Sequence, residues 1–303
     1  MGWSSPDSWV TRLFAGDPLV GLLAFLVVLA LPALLHLYFY TQSARTRIVP
    51  TFLLLGPSNV GKTALVTLLQ KRSAELEDAE PAVTRTSQVS WRAPLLLPPS
   101  VPLGSDKYRS ENDVSLREKQ PTRYVMIDTP GHGKLRTEQA LPQIQSPSLR
   151  GVIFVVDASV LDSSDSPASR DTAAYLHDTL LVLQKRKAAK TSAKAAKTDI
   201  PILVATNKQD LFTALPPGAV KERLQTEIER VRVSRSKGLA TVGQEPDVDG
   251  EDEILGGGGE EKFSFKLMEE EYGIRIDVVG GAVKGEEAGK GVGRWEEWIG
   301  GCL

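Results

Sequence analysis

The apolar positions of this chain follow two different patterns. From Pro18 to Ala44 there is no Lys, Arg, Asp or Glu, and Leu19 to Tyr40 reads LVGLLAFLVVLALPALLHLYFY, 22 residues that would make a helix apolar on every side. At about 1.5 Å rise per residue, such a helix reaches across a hydrocarbon layer of about 30 Å. Pro32 would bend it without forbidding it in lipid. Tyr38 and Tyr40 stand at the far end, where aromatic side chains suit a membrane interface. A buried core helix rarely stays uncharged for so long. A cleaved signal peptide has a shorter apolar run and a small-residue exit, whereas this run leaves through Leu37-Tyr38-Phe39-Tyr40. The pattern therefore predicts a short N-terminal segment (1–17), a transmembrane anchor (18–44) and a folded domain (45–303). Arg45 and Arg47 after the run outweigh Arg12, which is accompanied by Asp7 and Asp17, so the positive-inside rule places 45–303 in the cytosol.

Beyond the anchor, short apolar runs alternate with amphipathic stretches. Ile48–Leu55, Val89–Leu97, Tyr124–Ile127, Val152–Val156, Ile200–Ala205 and Ile274–Val279 read as strands. Lys62–Lys71, residues 171–186, Val220–Val233 and Trp295–Ile299 read as helices. Buried strands interleaved with helices indicate an α/β fold with a mainly parallel central sheet covered by helices. Three segments lack an apolar stripe and are expected as flexible inserts: 98–120, rich in Pro, Ser and charge; 185–198, basic and Ala-rich; and 235–261, polar, then acidic, then Gly-rich. The basic insert has the composition to touch acidic lipid or RNA, and equally that of a solvated loop or helix extension.

Composition narrows the function. Apolar content of 41 % and charged content of 24 % are ordinary for a globular protein. A formal net charge of −2 gives no global basic field, so direct sequence-specific nucleic-acid binding is not expected. The single cysteine, Cys302, excludes a disulfide framework and a multi-cysteine metal site. It is next to last rather than fourth from the end, and Pro6 stands where a myristoylation signal has Ser or Thr, so a lipid anchor is not expected either.

The chemistry lies in three short motifs. Gly56-Pro57-Ser58-Asn59-Val60-Gly61-Lys62-Thr63, with Ala64 next, fits G-x-x-x-x-G-K-[ST] between a strand and a helix. Its glycines let the backbone wrap a polyphosphate, Lys62 reaches the β- and γ-phosphates, and Thr63 is an Mg²⁺ ligand. Asp128-Thr129-Pro130-Gly131 follows a strand. In D-x-x-G the Asp supports Mg²⁺ through water and the Gly N–H senses the γ-phosphate. His132 occupies the place that orients the attacking water in many nucleotide hydrolases, and is the candidate catalytic residue. Asn207-Lys208-Gln209-Asp210 is N-K-x-D, in which Asp210 accepts from guanine N1–H and N2–H₂, and Lys208 lays its stem on the base. The order of the motifs indicates a P-loop small-GTPase fold with GTP or GDP and Mg²⁺ as cofactors. The γ-phosphate-sensing threonine must lie between the first helix and the next strand, at Thr84 or Thr86. A guanine-contacting loop should follow the last strand, where Gly281-Ala282-Val283-Lys284 offers Ala282. No catalytic arginine is apparent, so any hydrolysis is expected to be slow.

Taken together, the 18–44 span, GPSNVGKT (56–63), TRTS (84–87), DTPGH (128–132), TNKQD (206–210) and KFSFKLM (262–268) resemble the family of signal recognition particle receptor beta subunits. The resemblance covers about residues 18–303 outside the inserts. It favours Thr86 over Thr84 as the switch threonine and Mg²⁺ ligand, with Arg85 and Ser87 beside it at the nucleotide. The chain departs from the family pattern in the long 98–120 insert and in lacking the Ser of the fifth motif. The resemblance implies a single-pass protein of the endoplasmic reticulum membrane, with residues 1–17 lumenal and the GTPase domain cytosolic. It also implies that the GTP-bound switch regions hold the N-terminal domain of the receptor alpha subunit and bring ribosome complexes to the translocon. Two other readings stay open at this stage: an Arf- or Sar-like trafficking GTPase recruiting coat or tethering proteins, and a scaffold that binds GTP without turnover.

Overall fold

The computed structural model describes residues 18–45, 49–77, 88–106, 120–161, 166–191, 199–241, 254–256, 262–285 and 288–303. The chain divides into two units, Met1–Ile48 and Val49–Leu303.

The described part of the first unit is one helix, α1 (Pro18–Arg45), of 28 residues with Pro32 inside it. Its length is about 42 Å at 1.5 Å per residue. The large apolar side chains described along it, from Leu22 to Phe39, are 46–68 % exposed. Among the described residues, no helix is long and apolar enough to cross a membrane.

The second unit is an α/β sandwich. In chain order it contains β1 (Thr51–Leu55), α2 (Lys62–Glu77), β2 (Trp91–Leu97), β3 (Thr122–Asp128), β4 (Leu149–Asp157), α3 (Pro167–Thr191), β5 (Ile202–Asn207), α4 (Pro217–Thr241), α5 (Phe265–Tyr272), β6 (Ile276–Gly280) and α6 (Val292–Gly301). The six strands are ordered β2-β3-β1-β4-β5-β6. All neighbours are parallel except β2, which runs antiparallel to β3 as an edge strand. Its exposed Pro94 suits an edge, because proline donates nothing to a further strand.

Alternation along β1 builds both cores. Leu53 and Leu55 point into a cluster with α3, α4 and α5. Phe52 and Leu54 point into a second cluster with α2 and α6. A parallel sheet covered on both faces needs such strands, apolar at every position. Trp295 of α6 is 1 % exposed and is among the largest fully buried side chains. Its indole N–H donates to the Val279 carbonyl at 3.0 Å, which satisfies the one polar atom it brings inside.

Two segments expected as loops are in part helix. α3 continues through residues 185–191, where Lys and Ala favour helix. Within it Arg186 is buried, and its guanidinium donates to the carbonyls of Ile144 and Ser146. That residue braces a turn of the domain and does not face solvent. α4 likewise runs on to Thr241. Leu255, from the segment expected to be Gly-rich loop, is fully buried in the α3–α4 core. Its neighbours hold it there, since Gln184 donates to the Ile254 carbonyl and accepts from Gly256 N–H. Residues 192–198, 242–253, 257–261 and 107–119 of the expected inserts lie outside the described residues.

Candidate nucleotide-binding site

The C-terminal ends of β1, β3, β5 and β6 open onto one cleft of about 450 Å³, lined by Ser58, Asn59, Gly61, Lys62, Thr63, Ala64, Thr129, Gly131, Asn207, Lys208, Asp210, Leu211, Val283, Lys284 and Gly285. The crevice at the carboxyl ends of a parallel sheet is where ligands of such folds bind. Three motifs that are up to 150 residues apart in sequence thus share one wall.

The loop between β1 and α2 is held as a cradle. Asn59 and Gly61 both take positive φ, 64° and 99°. A Cβ on Gly61 would run into the Asn207 amide, so this position is closed to larger residues. Val60 is buried, and its carbonyl accepts from Asn207 Nδ2 at 2.8 Å. Lys62 is 7 % exposed, and its ammonium donates to the carbonyls of Gly56 (2.7 Å) and Pro57 (2.6 Å). Burial pulls this ammonium down to about 8, opposed by Asp128 and aided by Arg136. Thr63 Oγ1 donates to Asp128 Oδ2 at 2.8 Å. This hydroxyl–carboxylate pair is the hard oxygen set that suits Mg²⁺, an ion usually held by one or two protein oxygens plus phosphate.

The D-x-x-G loop lies directly on the cradle. Thr129 donates to the Leu54 carbonyl at 2.7 Å. Gly131 is so close that a Cβ there would meet Lys62 Nζ at 2.5 Å and the Pro57 carbonyl at 2.6 Å. His132 is exposed, and its carbonyl starts the next helical turn by accepting from Leu135 and Arg136 N–H.

The base-recognition end is built around Asn207. Besides the bond to Val60, its Oδ1 accepts from Val283 N–H at 3.0 Å, tying the last loop to the P-loop. Lys208, at φ 64°, donates to Asp157 Oδ2 at 2.5 Å, which fixes its stem along the cleft. Gly285, at φ +109°, lies against the Asp210 carboxylate, and a Cβ there would overlap it. Any side chain at 285 would displace the Asp210 carboxylate from the cleft wall.

Of the residues expected at the site, Ser58, Asn59, Gly61 to Ala64, Gly131, Asn207, Lys208 and Asp210 reach the wall. Gly56 and Pro57 serve from behind through their carbonyls, and Asp128 through Thr63. Ala282 is buried, and its N–H donates to the Lys290 carbonyl at 2.8 Å, so Val283, Lys284 and Gly285 form the wall after β6. Thr84, Arg85, Thr86 and Ser87 lie outside the described residues. Sequence reading did not single out Leu211, Gly285, Asp157 or Arg136. A G-G-A-V-K-G run after the last strand was the available signal for Gly285.

Comparison with known proteins gives the chain a family. The family model for the signal recognition particle receptor beta subunit matches residues 47–272. The signal recognition particle receptor subunit beta of Saccharomyces cerevisiae is 28 % identical over 257 residues, covering 82 % of this chain and 83 % of that protein. Among solved structures, the SRb-GTP/SRX complex of the signal recognition particle receptor from Chaetomium thermophilum aligns with a TM-score of 0.63 and 34 % identity, covering 83 % of this chain and 99 % of that one. The SRb-GDP-Mg form from the same organism aligns with a TM-score of 0.57 and 33 % identity, over 84 % and 98 % of the two chains. A cleft in which Lys62, Thr63 and Asp210 converge, on a sheet shared with these structures and across a match of well over half the chain, places this protein in the signal recognition particle receptor beta subunit family.

Proposed function

We propose that this chain binds GTP and GDP with Mg²⁺ as the beta subunit of a signal recognition particle receptor. In this role it holds the receptor alpha subunit at the endoplasmic reticulum membrane in a GTP-dependent way for co-translational targeting to the translocon. The observation that carries the reading is the convergence of Lys62, Thr63, Gly131 and Asp210 on one cleft. The related SRb chains occur as SRb-GTP/SRX and SRb-GDP-Mg forms.

Each residue has a defined task in this reading. P-loop N–H groups and Lys62 hold the phosphates. Thr63 and Thr86 ligate Mg²⁺, which neutralises phosphate charge when bound, and Asp128 supports it. Asp210 reads guanine by accepting from two donors that adenine lacks. Gly131 N–H reports the γ-phosphate, so the switch regions around Thr86 and Gly131 form the alpha-subunit surface. His132, exposed beside Gly131, is the group that would orient water for slow hydrolysis. α1 is the single-pass anchor, with residues 1–17 lumenal and the second unit cytosolic. A permanent apolar helix favours a resident receptor subunit over a trafficking GTPase that cycles on and off membranes.

The test is competition. A fluorescent GTP analogue bound to the detergent-solubilised full chain should be displaced by GTP and GDP and not by ATP. Equal displacement by ATP would sink the assignment. Affinity purification of the same chain loaded with GTP should recover the alpha subunit; recovery of coat subunits would support the trafficking alternative.

A further inference from the structure

The loop that carries Gly131 is anchored at both ends, and the second anchor belongs to none of the nucleotide motifs. At the strand end, Asp128 accepts from Thr63 and Thr129 donates to Leu54. On the far side of Gly131, Arg136 Nε donates to the Gly131 carbonyl at 2.9 Å. The rest of the same guanidinium is committed to α3. Its two terminal nitrogens donate to the two carboxylate oxygens of Asp171, at 2.7 and 2.6 Å. Its plane lies 4.4 Å from the centre of the Tyr175 ring.

This geometry uses what arginine alone offers. Five donors in a rigid fork let one side chain hold a carbonyl and a carboxylate at once, while its face stacks on an aromatic ring. The Arg136 side chain is only 12 % exposed, whereas Asp171 is half exposed. The bond to Gly131 is partly buried, while the shorter, charge-assisted pair to Asp171 lies at the surface. Tyr175 is itself held in the core: it is 2 % exposed, and its ring contacts Phe154 of β4. The strut thus connects the switch glycine to a rigid part of the core.

We infer that Arg136, braced by Asp171 and Tyr175, is a positioning residue that fixes the peptide at Gly131 and thereby sets how strongly the site prefers GTP to GDP. The inference rests on reading the cleft as a GTP site in which the Gly131 amide meets the γ-phosphate. GDP has no γ-phosphate and does not engage that amide. Loosening Gly131 therefore weakens GTP binding and leaves GDP binding unchanged. The strut also gives α3 a direct mechanical connection to nucleotide state, because a shift of Gly131 pulls on Asp171.

The test measures the affinities of the full chain in detergent for fluorescent GDP and for a non-hydrolysable fluorescent GTP analogue. Wild type is compared with Arg136→Ala, Arg136→Lys and Asp171→Asn. Arg136→Ala should lose roughly tenfold in affinity for the GTP analogue, the scale of one charge-assisted hydrogen bond, with GDP affinity within about twofold of wild type. Arg136→Lys, which keeps the charge and loses the fork, should fall close to Arg136→Ala, and Asp171→Asn should fall between it and wild type. Retained GDP binding shows that a variant is folded. Unchanged GTP-to-GDP ratios, or losses equal for both nucleotides, would overturn the inference. Failure of the wild-type chain to bind either nucleotide would sink the underlying site assignment instead.

Discussion

Lys62 carries an electrostatic cost that its ligand is placed to relieve. Burial brings its ammonium from the ordinary 10.5 down to about 8. Between those values the unfolded chain binds more protons than the folded one. The stability of the empty domain therefore rises as pH climbs through 8, and the cost of burying the ammonium is fully present below it. A bound polyphosphate acts the other way and keeps the proton on. Nucleotide affinity is therefore expected to fall as pH rises past about 8, by up to about tenfold per pH unit. Calorimetric titration of GDP at a series of pH values checks this, and Lys62→Met should bind more weakly and lose the slope. A flat profile in the wild-type protein would mean that Lys62 holds its proton without phosphate. Lys62 was legible in the sequence because its spacing to Gly56 and Gly61 is local. Gly285 and Arg136 were not, because each owes its role to a partner far along the chain. Gly285 matters through Asp210, which it touches, and Arg136 through Asp171, 35 residues on.

Among the elements, α6 shows how much a short helix can contribute. Trp295, Trp298 and Ile299 close the core over β1 and β6, and Arg72 of α2 meets Glu296 of α6 at 2.5 Å. Trp295→Ala removes a fully buried indole and its bond to Val279, and is expected to destabilise the domain by about 3–5 kcal/mol. Urea unfolding of the detergent-solubilised chain, followed by intrinsic fluorescence, measures it; a cost under about 1 kcal/mol would mean the site collapses around the gap. The periodicity of apolar residues predicted α6 and most other elements, differing mainly at their ends. It did not predict α5, because eight residues give too little periodicity to read. The end signals were present nonetheless: Ser264 accepts from Leu267 N–H as an N-cap, and Gly273 takes the left-handed C-cap. The continuation of α3 through 185–191 falls within the reading of that basic run as a loop or helix extension; what the run does not disclose is that Arg186 is buried against the Ile144 and Ser146 carbonyls.

At the scale of the whole molecule, the mainly parallel sheet was readable because strands buried on both faces are apolar without interruption. The antiparallel pairing of β2 was not, because direction depends on the long connections around it and not on the strand. The first unit poses a different question. α1 is a 28-residue helix whose described large apolar side chains are exposed, and the proposal that it is a membrane anchor has a direct test. Alkaline carbonate treatment of membranes carrying the full chain should leave it in the pellet, whereas a chain lacking residues 1–45 should be released. Release of both would remove the anchor from the reading.

The first strand after α1 also determines how the domain meets mechanical force. β1 is bonded along its length to β3 on one side and to β4 on the other. A pull on the chain at Val49, where the second unit begins, enters that unit through the N-terminal end of β1. Loaded in this direction, both parallel ladders resist in shear, so their bonds share the force and do not open one after another as at a peeled edge. Had the chain entered through β2 or β6, at the rims of the sheet, the same tug would unzip the fold. Entry at the centre of the sheet, with a bonded strand on each side, therefore favours resistance over unzipping.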